Sequence, residues 1–266
     1  MKTKSILAGM LILLAVTLTA CGRGVGAAER VIVAGSTSVQ PYSEVLAEAF
    51  VISYPGIIID VQGGGSSSGI RAASAGTSDI GMSSRFLNED EMDYWVVEIA
   101  RDGLAIVVHP SNPISGLSID QLQRVFTGEI TNWREIGGKD AKIHLIAREE
   151  GSGTRGAFEE LVMTGGQFIT PRAIVQGSNG AVRQLVSGDP NSIGFLSLGL
   201  VNDTVVALDL DGVAATAENV INGTYNLFRP FLFVCREEPG GATAQFIEFI
   251  LSPEGKAILA EEGLIP

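Results

Sequence analysis

Residues 147–162 read AREEGSGTRGAFEELV and place a Gly-Ser-Gly-Thr turn between a predicted strand and a predicted helix. The strand ends at Arg148, and the helix begins after the turn, where the first backbone N–H groups have no partner within the helix. The turn adds two hydroxyls and a guanidinium to those N–H groups. This combination suits an anion, although Gly-Ser-Gly-Thr is also ordinary turn chemistry. The weight of the motif depends on whether the chain repeats it.

The same strand–turn–helix unit recurs along the chain. From Arg30 to the C-terminus, short β-branched runs alternate with helical patterns, which predicts an α/β fold. Three further junctions are rich in Gly, Ser or Asn: 35–38 (GSTS), 63–69 (GGGSSSG) and 177–180 (GSNG). In open α/β sheets, ligands bind beyond the carboxyl ends of the strands. Helix capping explains one such junction, but four of them, together with Arg85 and Arg148, favour an anion-binding function.

The N-terminus has the pattern of an export signal. Two lysines precede an apolar run over residues 6–16, which is shorter than the ~20 residues of a transmembrane helix. The sequence LTAC at 18–21 resembles a bacterial lipobox, so we expect cleavage after residue 20 and lipid attachment at Cys21. Residues 1–20 are then a lipoprotein signal peptide and 21–29 a tether. We expect an extracytoplasmic protein, held by its lipid to a bacterial membrane, in the periplasm or on the outer face of the cell membrane.

Charge and cysteine content exclude several classes. The formal charge is −12, and loss of two lysines with residues 1–20 lowers it to −14, which disfavours a nucleic-acid partner. After lipidation of Cys21, Cys235 has no partner for an intramolecular disulfide, and we predict it to be a buried strand residue. His109 and His144 lie in apolar surroundings typical of strands. We therefore expect no metal site, no cofactor and no catalytic residue.

The Gly-rich turns also invite comparison with the glycine motifs of enzymes. No turn carries the lysine of a phosphate-binding P-loop, and GGGSSSG misses the dinucleotide-binding G-x-G-x-x-G spacing by one residue. Residues 65–69 (GSSSG) match the G-x-S-x-G motif of serine hydrolases around Ser67. We interpret this match as chance in a serine-rich loop, because neither histidine is placed for catalysis. An exported serine hydrolase or phosphatase that uses Ser67 or Ser152 remains the less favoured alternative.

Four motifs together carry a family resemblance: AGSTSVQP (34–41), VQGGGSSSGIRAASAGTSDIGMSSR (61–85), AREEGSGTRGAFEELV (147–162) and QGSNGAVRQLVSGDPNSIGFLSLG (176–199). In this order and spacing they resemble the extracytoplasmic phosphate-binding proteins of ABC phosphate importers. The resemblance implies a two-lobed type II periplasmic-binding-protein fold, in which each lobe is a mixed sheet flanked by helices and two crossovers form a hinge. We expect lobe one at 30–108 with 230–266, and lobe two at 109–229.

The resemblance also implies the ligand, the partners and the site. The ligand is inorganic phosphate, and the partners are the permease subunits of an ABC importer. The implied phosphate-binding residues are Thr37, Ser38, Ser66, Ser84, Arg85, Arg148, Ser152, Gly153 and Thr154.

One departure from the family pattern concerns the acid that accepts the phosphate proton. The best-known branch of the family has an aspartate at the position of Ser84, where this chain has a hydroxyl. We choose Glu150 as the acceptor, rather than Asp79, because Glu150 shares a loop with Arg148. Two other functions stay open: a binding protein for another oxyanion, such as sulfate, molybdate or tungstate, and a structural or sensory lipoprotein that binds nothing tightly.

Overall fold

The computed structural model describes residues 28–266, so the expected signal peptide, Cys21 and most of the tether lie outside the described residues. The strands are β1 (Glu29–Gly35), β2 (Ile57–Gly63), β3 (Ile80–Ser83), β4 (Trp95–Val108), β5 (Gly116–Leu117), β6 (His144–Arg148), β7 (Ile174–Gln176), β8 (Ser192–Ser197), β9 (Val206–Ala207), β10 (Asp209–Leu210) and β11 (Phe228–Cys235). The α-helices are α1 (Gln40–Ser53), α2 (Ser66–Ser74), α3 (Ile119–Thr127), α4 (Gly153–Leu161), α5 (Asn179–Gly188), α6 (Ala217–Ile221), α7 (Gly241–Leu251) and α8 (Pro253–Glu261). Short 3₁₀ turns lie at Glu89–Glu91, Trp133–Ile136 and Leu198–Leu200.

The main sheet has the strand order β2-β1-β3-β11-β4-β8-β6-β7, with β9 also paired to β4. β1 is parallel to β2 and β3, whereas β11 is antiparallel to β3 and to β4. Farther along, β4 is antiparallel to β8, and β6 is parallel to both β8 and β7. The predicted mixed α/β class is confirmed.

Strand direction explains how the two halves of this sheet meet. The first part of β4 pairs with β11 and the second part, from Leu104 to Val108, pairs with β8. β3 runs in the direction of β4, whereas β8, β6 and β7 run against it. The carboxyl ends of β1, β2 and β3 therefore face the carboxyl ends of β6, β7 and β8. The strand-to-helix junctions of both halves come to one seam.

Two hydrophobic cores lie on either side of this seam. The first contains Val33, Phe50 and Phe233 and packs α1 and α7 on the sheet. The second is built around Phe126 and a stacked pair, Phe158 and Phe195, whose ring centroids are 4.2 Å apart. We call the parts of the chain around these cores lobe one and lobe two.

The change from one core to the other occurs within the two longest strands. In β4, Ala100 belongs to the first core and Leu104 to the second. In β11, Phe228 packs against the second core and Phe231 lies in the first. The sequence-based boundaries at 108/109 and 229/230 stay a prediction, and the packing in β4 changes earlier than they do.

Several local expectations were wrong. The sequence pattern predicts a helix near residues 88–95, where the structure has only the 3₁₀ turn Glu89–Glu91. The apolar run 104–110 predicts a strand there, but in the structure this strand already begins at Trp95. The early part of β4 alternates exposed and inward residues, and its outward charges, such as Glu98 and Arg101, obscured the strand in the sequence. His144 is not in apolar surroundings. Its side chain is 40% exposed, and its Nδ1 lies 2.6 Å from Asp189 Oδ2.

Two further points concern single features of the described chain. Cys235 is a buried residue of β11, as predicted, and burial raises the pKa of its thiol to about 12. Across residues 28–266, no helix combines the length and the apolar character needed to cross a membrane.

Candidate anion-binding site

The four Gly-rich junctions meet at the seam between the lobes. From lobe one to lobe two, the backbone N–H of Ser67 donates to the carbonyl of Gly151 at 3.1 Å. The hydroxyls of Ser38 and Thr154 are 2.9 Å apart. The helices α1, α2, α4 and α5 all begin here, and each helix start leaves N–H groups unpaired and carries a partial positive charge. The seam therefore concentrates hydrogen-bond donors from both lobes.

Arg148 occupies the centre of this seam. It ends β6, and its side chain is 1% exposed. Its Nε and Nη2 each donate to one oxygen of Glu149 at 2.9 Å, and Nη2 also donates to Thr37 Oγ1 at 3.2 Å. Among the described residues, its Nη1 is buried without a hydrogen-bond partner. Leaving a buried donor unpaired costs roughly 1–3 kcal/mol, more for a charged group. An anion oxygen would remove that cost.

Thr37 and Ser38 lie between the lobes, in the turn that follows β1. Asn179, the first residue of α5, donates from Nδ2 to Ser38 Oγ at 2.9 Å and to Thr37 Oγ1 at 3.3 Å. Its Oδ1 accepts from the backbone N–H of Ser197 at 3.3 Å, which fixes the orientation of the amide. Ser38 is fully buried, whereas Thr37 is partly buried. The two hydroxyls are thus held by side chains from the opposite lobe.

A second group of hydroxyls comes from lobe one alone. Ser66, which begins α2, and Ser84, which follows β3, are both fully buried. The Ser84 backbone N–H donates to Ser66 Oγ at 3.1 Å, and Ser36 Oγ donates to Ser84 Oγ at 2.8 Å. These hydroxyls lie directly against Gly153. A Cβ on Gly153 would overlap Ser66 Oγ and would lie 2.6 Å from Ser84 Oγ, so the position requires glycine.

The N-terminus of α4 closes the group from lobe two. Gly151 has φ +84°, a backbone conformation that favours glycine, and it turns the chain into the helix. Ser152 caps the helix, because its Oγ accepts from the Arg155 backbone N–H at 3.3 Å. The N–H groups of Gly153 and Thr154 then fall in the first helical turn, where no intrahelical acceptor exists. Both residues are buried at the seam.

Two predicted residues are not brought to this centre. Arg85 lies at the rim, where Nη1 and Nη2 donate to the two oxygens of Glu91 at 2.7 and 2.8 Å. Glu150 is exposed and lines a surface cleft on the same rim, beside Ser67 and Arg85. The acid next to Arg148 is Glu149, because its side chain turns back along the guanidinium while that of Glu150 faces solvent.

The structure also adds a buried ion pair that the sequence analysis missed. Arg229, on β11, is fully buried and donates from Nε and Nη2 to Asp102 Oδ2 at 3.2 and 3.0 Å. Asp102, on β4, also accepts from Ser197 Oγ at 2.9 Å. Burial raises the pKa of Asp102 against the lowering effect of Arg229, and burial lowers the pKa of Arg229. The signal was present: an arginine inside the apolar run FRPFLFVC needs a buried partner.

Within the described part of the chain, no cluster of three or more His, Cys, Asp or Glu side chains is arranged to hold a metal ion. The seam offers hydrogen-bond donors from hydroxyls, guanidinium groups and helix N-termini.

Comparisons with known proteins identify the family. Residues 24–254 match the model of the PBP superfamily domain. The phosphate-binding protein PstS of Bacillus subtilis is 34% identical over 243 residues, covering 88% of this chain and 79% of the relative. PstS of Pseudomonas aeruginosa is 32% identical over 264 residues, covering 87% of this chain and 81% of the relative.

Solved structures agree with this assignment. A crystal structure from Clostridium perfringens, described as a candidate phosphate ABC transporter substrate-binding protein with bound phosphate, superposes with a TM-score of 0.87 at 44% identity, covering 89% of this chain and 99% of that chain. An ABC-type phosphate transport receptor from Vibrio cholerae gives a TM-score of 0.75 at 38% identity, with coverage of 89% and 99%. The predicted two-lobed type II periplasmic-binding-protein fold is confirmed. The chain therefore belongs to the PBP superfamily and, within it, to the family of the phosphate-binding protein PstS.

Proposed function

We propose that this protein captures inorganic phosphate outside the cell membrane and delivers it to the permease subunits of an ABC importer. The observation that carries the proposal is the buried Nη1 of Arg148, which has no hydrogen-bond partner in the described part of the chain and lies among hydroxyls from both lobes. The relatives named as phosphate-binding proteins support the choice of ion. The family consists of substrate-binding transport proteins, and we extend this to a protein without catalytic activity of its own.

The donors at the seam suffice for tight binding. A hydrogen bond to a charged group contributes about 1.5–3 kcal/mol, and micromolar affinity requires about 8 kcal/mol. The ligand-facing set that we propose comprises Thr37, Ser38, Ser66, Ser84, Arg148, Gly153 and Thr154, with Ser152 holding the helix start. The acidic chain does not oppose this, because charges farther away than about 8–10 Å are screened at physiological ionic strength.

The proton of hydrogen phosphate needs an acceptor, and Ser84 fits this role better than Glu150. Ser84 Oγ accepts a hydrogen bond from Ser36 at 2.8 Å and keeps a second lone pair. It is fully buried at the seam, whereas Glu150 is exposed. A neutral acceptor repels sulfate less than a carboxylate does, so we expect weaker discrimination against sulfate than an acidic residue at this position would give.

Capture and release follow from the two lobes. We propose that lobe one, residues 30–108 with 230–266, and lobe two, residues 109–229, close over the ion through their crossovers in β4 and β11. The closed form is then read by the permease. Lipid on Cys21 would keep the protein at the membrane. Replacing Cys21 with Ser should abolish incorporation of labelled palmitate and release the protein from membranes, and retention of the label would contradict the anchor.

The test of phosphate capture is a calorimetric titration. Residues 24–266 are expressed without the lipid cysteine, unfolded and refolded to remove any ligand, and titrated with phosphate near neutral pH, with and without sulfate. We expect one-to-one binding of micromolar strength or tighter that an excess of sulfate weakens only partly. No binding of phosphate, or equal binding of sulfate, would contradict phosphate capture and favour another oxyanion.

A further inference from the structure

Two of the three side chains that contact the hydroxyl of Ser38 reach it with groups that can only donate. Arg229 Nη2 donates to its Oγ at 3.0 Å, and Asn179 Nδ2 donates to it at 2.9 Å. A serine hydroxyl has two lone pairs and one hydrogen, so these two donors occupy both lone pairs. The hydrogen of Ser38 must then be donated outward. In the structure it faces Thr154 Oγ1 across the seam, at 2.9 Å.

The hydroxyl of Thr37 also accepts hydrogen bonds from an arginine, in this case Arg148, and from Asn179. Its Oγ1 accepts from Arg148 Nη2 at 3.2 Å and from Asn179 Nδ2 at 3.3 Å. Each arginine is held along one edge by a carboxylate, Glu149 for Arg148 and Asp102 for Arg229. In each guanidinium, the same Nη2 atom that contacts the carboxylate also donates to one of two consecutive hydroxyls, Thr37 for Arg148 and Ser38 for Arg229. The arrangement is therefore paired, with one arginine at the end of β6 and the other on the crossover strand β11.

The place of Arg229 in the fold separates it from an ordinary buried ion pair. Arg229 and Asp102 lie on β11 and β4, beside the points where the chain passes from the first core to the second. Among the described residues, Arg229 Nη1 is buried without a partner, as is Nη1 of Arg148. An ion pair that served packing alone could be replaced by apolar side chains of similar volume with little loss.

We propose that Arg229 is a positioning residue of the phosphate site, which holds the Ser38 hydroxyl as an obligatory hydrogen-bond donor toward the ligand. The inference rests on the proposed function and deepens it. Arg229 acts on the ligand through Ser38, and Asp102 holds the guanidinium of Arg229 in the orientation that contacts Ser38. A hydroxyl that can only donate favours an oxyanion oxygen and disfavours a ligand group that carries its own hydrogen. The crossover strands β4 and β11, as well as lobe two, thus determine which groups of the site donate hydrogen bonds to the ligand.

A double-mutant cycle tests this inference. The first variant combines Arg229→Met with Asp102→Leu, which removes both charges together and leaves neither partner buried alone. The second is Ser38→Ala, and the third carries all three substitutions. Phosphate affinity is measured by calorimetry for the unmodified protein and each variant. We expect the Arg229/Asp102 variant to bind phosphate about tenfold more weakly, as for the loss of about one charge-assisted hydrogen bond. In the Ser38→Ala background, the same change should have almost no further effect.

The control is a second charge pair on β4. Glu98 and Arg101 form an exposed pair whose side chains are 43% and 56% exposed. Glu98→Gln with Arg101→Gln should leave phosphate affinity unchanged. Unchanged affinity of the Arg229/Asp102 variant, or an undiminished effect of it in the Ser38→Ala background, would overturn the positioning role.

A second variant keeps the inference testable if the first does not fold. Arg229→Lys retains the charge, but an ammonium group cannot reproduce the planar fork that contacts Asp102 and Ser38 together. It should weaken phosphate binding severalfold at unchanged stability, and full wild-type affinity would overturn the proposal. If the unmodified protein binds no phosphate, the proposed function fails and the inference fails with it. If it binds phosphate and the variants bind equally well, only the inference fails.

Discussion

The arginine–carboxylate pairs at the seam of this molecule differ from those at the rim. At the rim, Arg85 uses both Nη atoms on Glu91, Phe86 O and Ser67, and Arg155 pairs with Glu159 at 2.8 Å. At the seam, Arg148 and Arg229 are equally well paired, yet each keeps a buried Nη1 that has no hydrogen-bond partner within residues 28–266. Residue type does not distinguish the arginines of the two regions, but unused donor capacity does, and we propose that it marks a binding arginine.

The largest loss of phosphate affinity is expected when the planar guanidinium of Arg148 at the seam is replaced by an ammonium group. Arg148→Lys keeps the charge but loses the geometry that serves Glu149, Thr37 and the ligand at once. We expect phosphate affinity to fall about a hundredfold, close to 3 kcal/mol, by calorimetry. The matched control is Arg155→Lys at the rim, which should leave affinity nearly unchanged. Equal effects of the two substitutions would show that the distinction is mistaken.

Gly153 tests the closeness of the lobes rather than their charge. In Gly153→Ala the new methyl group would overlap Ser66 Oγ, so the lobes could not approach as closely. Overpacking of this kind costs about 2 kcal/mol, which predicts about thirtyfold weaker phosphate binding. Gly180→Ala, in the first turn of α5, is the control, because its Cβ would come no closer than 3.9 Å to Ser178 Oγ. A tight-binding Gly153→Ala variant would argue against closure at this point.

The adjacent acids Glu149 and Glu150 allow the seam and the rim to be compared within one loop. Glu149→Gln removes the charge that holds the guanidinium of Arg148 in place. We expect phosphate binding to weaken about tenfold, since one charge-assisted hydrogen bond is lost. Glu150→Gln changes an exposed side chain at the rim, and we expect little change in affinity. A larger effect of Glu150→Gln would restore the original sequence-based choice of acid.

The smallest effect on binding is expected at Glu91, where stability should change instead. The hydrogen bond from Arg85 lowers the pKa of Glu91 in the folded protein. The pair therefore stabilises the fold above the unfolded-state pKa, and this contribution is lost as pH falls through the folded-state value. Glu91→Gln should lower the free energy of unfolding by about 1–2 kcal/mol at pH 7. Urea denaturation at several pH values should show that difference shrinking toward acid, and a pH-independent difference would contradict it.

The sequence was sufficient to predict the elements that are marked by a recognisable local pattern. The Gly-rich turns predicted the four junctions, and the family resemblance placed most of the hydroxyls that the structure brings together. Strand β4 was only half predicted, because Glu98, Arg101 and Asp102 interrupt its apolar pattern. The side chain of Asn179 was also missed. Asn179 lies at the start of a helix, where capping alone would explain its residue type. Its side chain nevertheless contacts Thr37, 142 positions away in the chain.

The pairing of Asp102 with Arg229 could not be deduced from local patterns. The two residues are separated by 127 positions, and only the order of strands in the sheet makes them neighbours. A charged residue in an apolar run announces that a partner exists but does not identify it. The position of Glu149, rather than Glu150, beside Arg148 could not be predicted for a different reason. Glu149 and Glu150 share one loop, and only the direction of the backbone decides which side chain turns inward.

The position of β11 in the sheet has a consequence for biogenesis. β11 lies between β3 and β4, so a central strand of lobe one is among the last parts of the chain to be synthesised. The buried residues of the second core, in contrast, all lie between Leu104 and Leu227. Contacts between distant parts of a chain form slowly, and incomplete sheets expose edges that invite aggregation. During synthesis, the second core can therefore form first, whereas lobe one is completed only after residues 228–266 have emerged.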